Sequence, residues 1–272
     1  MNTRRNGFSL LSAAITAALL GVPLAHAQNA PPDRDTTKST VSPTTLPTII
    51  VTANKRIENA QDVPMAVSVM GGYELERMNA ANFGDYLTKI AGVNVISQGE
   101  RMTQIVMRGV TSGSRQQNAS VGTYIDDAPF GSSTVYAIGA LLTPDIDPSD
   151  LERVEVLRGP QGTLYGSNTL GGLVKFVTRP PDATAFSGRA QIDGSSLDHG
   201  GTGFGARVML NAPLVTDKLA VRVDGFKRHD PGYIDDIGKG VKDANDARVD
   251  GGRAQLLWTP NDRVSLRVSA LF

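Results

Sequence analysis

The sequence contains no cysteine among its 272 residues, so it can form no disulfide, thiolate metal centre or cysteine nucleophile. Histidine is scarce too: His26, His199 and His229 are the only three, too few for most histidine-based metal centres. An excess of either charge is missing as well. With 27 basic and 27 acidic side chains, the chain lacks the basic excess of a nucleic-acid binder. No G-x-S-x-G elbow is present, and the glycine-rich stretch Gly159 to Gly166 lacks the Gly-Lys-Ser/Thr ending of a phosphate-binding loop. The acids Asp145, Asp147, Asp150 and Glu152, and the later set Asp230, Asp235, Asp236, Asp243 and Asp246, lack calcium-loop spacing and read as hydrated turns. The residues therefore point to no enzyme, no metal site and no cofactor.

What is present begins at the N-terminus. Arg4 and Arg5 precede an apolar run from Phe8 to Val22, and Ala25-His26-Ala27 supplies small residues where a signal peptidase reads. Residues 1–27 are expected to be a cleaved signal peptide, since Pro23 ends the run short of the ~20 residues of a membrane anchor. No later segment reaches the ~18 continuous apolar residues of a membrane helix. Residues 28–47 hold four prolines and almost no large apolar side chain, and read as a disordered linker.

At Thr48-Ile49-Ile50-Val51-Thr52-Ala53 the composition changes to a β-branched run with strong strand propensity. Such a strand on a tether suits pairing with another protein's sheet edge, or it is the first strand of the domain behind it. Residues 56–182 read as one compact unit of short strands and helices. Asn82 can cap a helix to Ile90 that places Phe83, Tyr86, Leu87 and Ile90 on one face, and Gly92 stops it. Strands are expected at Pro64–Met70, Val93–Ser97, Thr103–Arg108, Val121–Asp126, Leu151–Leu157 and Leu173–Thr178.

From residue 183 the period becomes two. Polar and apolar residues alternate at Phe186–Asp193, Phe204–Ala212, Leu219–Gly225, Gly252–Trp258 and Val264–Phe272. Short turns at Pro213–Lys218 and Pro260–Asp262 contrast with a long polar connection, His229–Ala247. Alternation with short turns on one side and longer loops on the other is how membrane β-barrel strands read, although soluble antiparallel sheets also alternate.

Several ordered motifs carry a resemblance. Residues 48–55 look like the TonB box of TonB-dependent outer-membrane receptors, and Gln61-Asp62-Val63-Pro64 through Val69 is similar to the start of their plug. Met107-Arg108-Gly109-Val110 resembles the plug's I-R-G motif, and Val121-Gly122-Thr123-Tyr124-Ile125-Asp126-Asp127 its V-G-x-Y-I-D-G strand. The most specific match is Glu152-Arg153-Val154-Glu155-Val156-Leu157-Arg158-Gly159-Pro160-Gln161-Gly162-Thr163-Leu164-Tyr165-Gly166, followed by Gly171-Gly172.

The resemblance implies an α+β plug, a small mixed sheet with short helices, followed by antiparallel transmembrane β-barrel strands, with the barrel incomplete. On this reading the domains are 1–27 signal peptide, 28–47 linker, 48–55 TonB box, 56–182 plug and 183–272 partial barrel. It implies a cell outer-membrane location and a TonB-binding strand at Thr48, Ile49, Ile50, Val51, Thr52 and Ala53. The implied partners are TonB with its inner-membrane energising complex, outer-membrane lipid, and a small ligand of metal-chelate type, most often a ferric siderophore. It further implies a plug–barrel charge network in which Arg108 and Arg158 meet barrel glutamates, with Glu152 and Glu155 supplying part of it from within. Residues 183–272 hold no glutamate, so those barrel partners are missing from this stretch. Gln98, Arg101, Arg115 and Gln116 are expected in ligand-facing plug loops. Receptors that also signal carry an extra folded domain before the box, which residues 28–47 cannot supply. Two departures from the family pattern are Asp127, at a usual glycine, and Lys175, inside an apolar strand. An alternative to an importer is a truncated, non-transporting product whose plug folds in the periplasm and only binds TonB.

Overall fold

The computed structural model describes residues 49–80, 82–97, 103–111, 119–130, 147–198 and 200–272. The expected signal peptide, the linker, Thr48, and the loop residues Gln98, Arg101, Arg115 and Gln116 lie outside the described residues.

The plug opens with a two-stranded pair, β1 (Ile50–Val51) and β2 (Glu58–Asn59). β3 (Ala66–Gly71) leads into α1 (Gly72–Arg77) and α2 (Phe83–Leu87). Asn82 caps α2 as its sequence suggests: Asp85 N donates to its side chain, and Asp85 returns the bond to the Asn82 backbone. The helix stops at Leu87, short of Ile90, because Lys89 and Ile90 donate to carbonyls only three residues back, tightening the last turn. Ile90 stays buried all the same, so the apolar face is continuous past the helix end.

β4 (Val93–Ser97) and β5 (Thr103–Met107) pair as a hairpin. β6 (Val121–Ile125), β7 (Ala128–Pro129), β8 (Leu151–Arg158) and β9 (Gly172–Thr178) join β3 in a mixed sheet ordered β3-β8-β9-β6-β7. A 3-10 turn, Pro148–Asp150, precedes β8, and α3 (Gly162–Tyr165) follows it. Every residue of β9 is buried, as befits a strand covered on both faces. The main core gathers α1 and α2 onto this sheet, with Phe83 stacked on Phe176 at 5.4 Å and edge-on to Tyr86. Gly172 is required where β9 begins: its φ is +152°, and a Cβ there would lie 2.4 Å from the Leu157 carbonyl oxygen.

The last third is an antiparallel meander, β10 (Ser187–Ser196), β11 (Thr202–Val215), β12 (Leu219–Asp230), β13 (Ala247–Asn261) and β14 (Val264–Leu271). The middle strands are longer than the alternating segments suggest, because pairing continues through Gly203, Gly205, Gly225 and Gly251, which carry no side chain to mark the period. Among the described residues the sheet is open, with β10 and β14 as its edges. One face carries exposed Ile192, Val208, Leu210, Val223, Leu256, Trp258 and Val268, the apolar outer band of a barrel wall. The opposite, polar face is turned to the plug. No helix among the described residues is long and apolar enough to cross a membrane, so any crossing falls to the strands.

Candidate functional site

The β-branched run before the plug does not hang free in this structure. Ile50 and Val51 pair antiparallel with Asn59 and Glu58, and Ala60 N donates to the Ile49 carbonyl at 2.8 Å. Alternation sends Val51 and Ala53 inward, both fully buried against Val63, Leu157, Tyr165 and Leu173. Ile49 and Ile50 remain 52% and 41% exposed.

The next step of the backbone is held by side chains from far along the sequence. Thr52 N donates to both carboxylate oxygens of Glu155, at 2.9 and 3.1 Å. The Thr52 hydroxyl lies within 3.2 Å of the same group. Tyr165 Oη donates to the Ala53 carbonyl at 2.8 Å. A turn then closes, Lys55 N reaching the Thr52 carbonyl at 3.0 Å with Lys55 in the left-handed region at φ 57°. The Lys55 ammonium sits 5.3 Å above the Tyr165 ring.

Tyr165 is itself fixed. Its ring meets Tyr124 edge-on at 5.0 Å, and Tyr124 Oη donates to the Tyr165 carbonyl at 2.6 Å. Burial, then the nearby charges of Glu155 and Asp127, pushes the Tyr165 hydroxyl up to about 12, so it remains a donor through the physiological range. Burial also raises Tyr124.

Glu155 is wholly buried, and a carboxylate in that position needs partners. Arg153 Nε supplies one at 2.8 Å. Lys175 stands directly across the ladder from it, on β9. The Lys175 ammonium reaches Asp127 at 2.9 Å and the Thr52 carbonyl at 3.5 Å. The two departures from the family pattern thus meet each other: Asp127 on the surface answers the buried charge of Lys175 beneath it.

The four residues expected to form one plug–barrel network are not brought together. Glu155 serves the box segment and Arg153, while Glu152 is exposed and pairs with Arg153. Arg158 Nη1 donates to the Ala91 carbonyl at 2.9 Å and Nη2 to Ser68 Oγ at 3.1 Å, leaving its Nε buried without a partner. Arg108 is exposed, in the left-handed region at φ 52°, with its guanidinium beside Gly159. Among the described residues no carboxylate forms an ion pair with Arg108 or Arg158. The alternation of β8 puts Glu155 on the polar face with Arg153, opposite Val154 and Val156, so its burial is not legible there, and nothing in the sequence pairs it with Thr52.

No group of acidic or histidine side chains among the described residues is arranged to hold a metal. The chemistry of this site is the recognition of an extended backbone by one carboxylate, one phenol and one ammonium.

Comparison with known proteins bears on the fold. Residues 59–173 match the family described as TonB-dependent Receptor Plug Domain. The chain is 28% identical over 221 residues to the pesticin receptor of Yersinia pestis, covering 79% of this chain and 30% of that protein. It is 28% identical over 240 residues to the hemin receptor of Yersinia pestis, covering 88% of this chain and 31% of that one. Among solved structures it resembles the ferric yersiniabactin uptake receptor of Yersinia pestis, with a TM-score of 0.65, 24% identity, and coverage of 76% of this chain and 31% of the other. The ferripyoverdine receptor of the Pseudomonas aeruginosa outer membrane, also at TM-score 0.65, shares the fold at 16% identity over 82% of this chain and 27% of that one. The chain therefore spans about a third of the length of the relatives it matches.

Proposed function

The chain belongs to the TonB-dependent outer-membrane receptors, and from that membership we propose that it serves the energy-coupled import of a scarce ligand, a ferric siderophore being the favoured class. The observation that carries this reading is a self-contained plug seated on the polar face of a sheet whose other face is an exposed apolar band. A soluble domain has no use for that band, whereas a barrel wall turns it to lipid.

Residues 48–53 are the segment that pairs with TonB, by adding a strand whose main chain gives affinity whatever its side chains. The exposed Ile49 and Ile50 offer the first purchase. Full pairing withdraws Thr52 from Glu155 and Ala53 from Tyr165. Arg108 and Arg158 await carboxylates from other wall strands, which accounts for the unpartnered Arg158 Nε. Gln98, Arg101, Arg115 and Gln116 face the ligand from the plug's apical loops, and the inner-membrane energising complex acts through TonB.

Replacing Ile50 with proline tests the coupling. Proline removes a ladder donor and fixes φ, so capture of TonB's periplasmic domain by the full chain should fall by about tenfold or more. Undiminished capture would show that the box lies elsewhere. A second reading is a non-transporting product, whose plug binds TonB and moves nothing. Iron-limited growth of receptor-deficient cells on ferric siderophores decides between them: TonB capture without growth selects the second reading.

A further inference from the structure

Among the described residues the ion pairs between wall and plug all run one way. On each of its five strands one arginine of the inner face pairs with a plug carboxylate: Arg189 with Glu76, Arg207 with Asp147, Arg222 and Arg253 with Asp150, and Arg267 with Asp126. Among the described residues no ion pair across this interface runs the other way, with a wall acid on a plug base. The register puts these arginines on one face. Asn211, Arg222, Gln255 and Ser269 lie opposite one another along a single row of the sheet, and Arg253 and Arg267 stand two residues from that row and Arg207 four, all on the same face.

Asp150 is the centre of the arrangement. Arg222 Nε donates to its carboxylate at 2.9 Å and Arg253 Nη2 at 2.7 Å, and Arg253 also reaches the Asp150 backbone carbonyl at 3.1 Å. All three residues are 5% exposed or less. Asp224, on the wall, accepts from Arg253 at 2.8 Å, so two arginines face two carboxylates and the buried group balances. Around it the contacts are uncharged: Gln255 Nε2 donates to Thr178 Oγ1 at 2.8 Å, and Asp182 N to Asn211 Oδ1 at 2.8 Å.

We propose that the plug is seated in this protein by a charge lock with carboxylates on the plug and arginines on the wall, centred on Asp150 between Arg222 and Arg253. The polarity is the reverse of plug arginines seeking wall glutamates, and it fits a wall segment that contains arginine but no glutamate. Asp150 sits on a 3-10 turn at the head of β8, so the lock holds the strand that also presents Glu155 to the box segment. It is a positioning site: it fixes where the plug stands and takes no part in binding a ligand. A buried ion group is costly to leave half-complete, which makes seating depend steeply on every member being present.

The absence of cysteine gives a clean reporter. Thr178→Cys with Gln255→Cys, made in the full chain in detergent micelles, places the only two thiols across the interface, and the rate at which a bifunctional methanethiosulfonate with a two-carbon spacer bridges them, releasing methanesulfinate, reads how often the plug is seated. Asp150→Asn should slow that rate by about tenfold or more, since it leaves two buried guanidinium groups short of a partner. Asp150→Glu, which keeps the charge, should recover part of the loss. Asp150→Asn combined with Arg222→Gln should be no slower than the worse single change, because the lock is already broken. At equal ionic strength sulfate should slow the parent more than chloride, by competing for the arginines, and should not affect Asp150→Asn. Equal rates in parent and Asp150→Asn, with unchanged circular dichroism, would overturn the proposal, as would a parent that does not cross-link. Should Asp150→Asn lose its fold by circular dichroism, Asp147→Asn decides, a slowed rate supporting the lock and an unchanged one removing it.

Discussion

Phe83 and Phe176 in the plug are buried to within 2% of full enclosure, whereas Val208 and Leu256 in the wall are 52% and 39% exposed. The polar residues run the opposite way: Lys89, Glu152 and Asp127 of the plug face outward, while Arg207, Arg222, Arg253 and Gln255 of the wall are enclosed. The same chain therefore obeys two solvents. The plug sorts its side chains for water, gathering helices over a sheet. The wall sorts them for lipid outside and for a polar surface within, and the plug supplies that surface. Burial alone does not identify a core here. What matters is which medium each face was built against.

The comparison can be broken from either side. The largest effect is expected from Phe176→Ala, which opens a cavity between α2 and β9 and should destabilise the plug by about 3–5 kcal/mol in urea unfolding. Apolar residues on the outer wall, sharing no such enclosure, are free of this penalty in detergent. Next comes Val208→Arg. A charge on the lipid face near the bilayer midplane costs about 2–4 kcal/mol. Folding into vesicles should suffer accordingly, and plug unfolding should not change. An equal loss in the plug would deny that the face is lipid-facing.

The smallest concerns Tyr165→Phe, which leaves the buried Ala53 carbonyl without its donor at a cost of about 1–3 kcal/mol. Burial pushes the folded hydroxyl up to about 12 from its ordinary 10.0, so the folded state holds its proton longer than the unfolded chain. That contribution is whole below about pH 10 and is lost as pH rises towards 12. Stability of the parent should fall over that window and Tyr165→Phe should fall less, which a pH series of urea midpoints will check.

Local features were the legible ones. The Asn82 cap, the Phe83–Tyr86–Leu87 face and the β4 strand from Val93 to Ser97 follow from spacing and from Gly92, and all appear. The single turn α3 was hidden inside a glycine-rich stretch that sequence alone renders as a loop. The five alternating segments announced the wall, but not which plug acids would answer their arginines. Asp147 and Asp150 read as hydrated turn residues because acids beside proline and serine normally are. Their burial depends on Arg207, Arg222 and Arg253, which lie far along the chain, and no local pattern encodes such a pairing. The same holds for Glu155, whose bond to Thr52 N spans 103 residues.

The strand order of the plug has a consequence in time. Among the described residues β3 finds its only neighbour in β8, Ala66 lying opposite Arg158, and β6 needs β9, Val121 lying opposite Gly172. The early strands thus wait for residues translated long after them, and the sheet cannot begin to close until β8 and β9 have both emerged. Such non-local closure delays folding without weakening the finished product. A chain arranged this way stays threadable while it is being moved, and commits to a shape only once its middle has arrived.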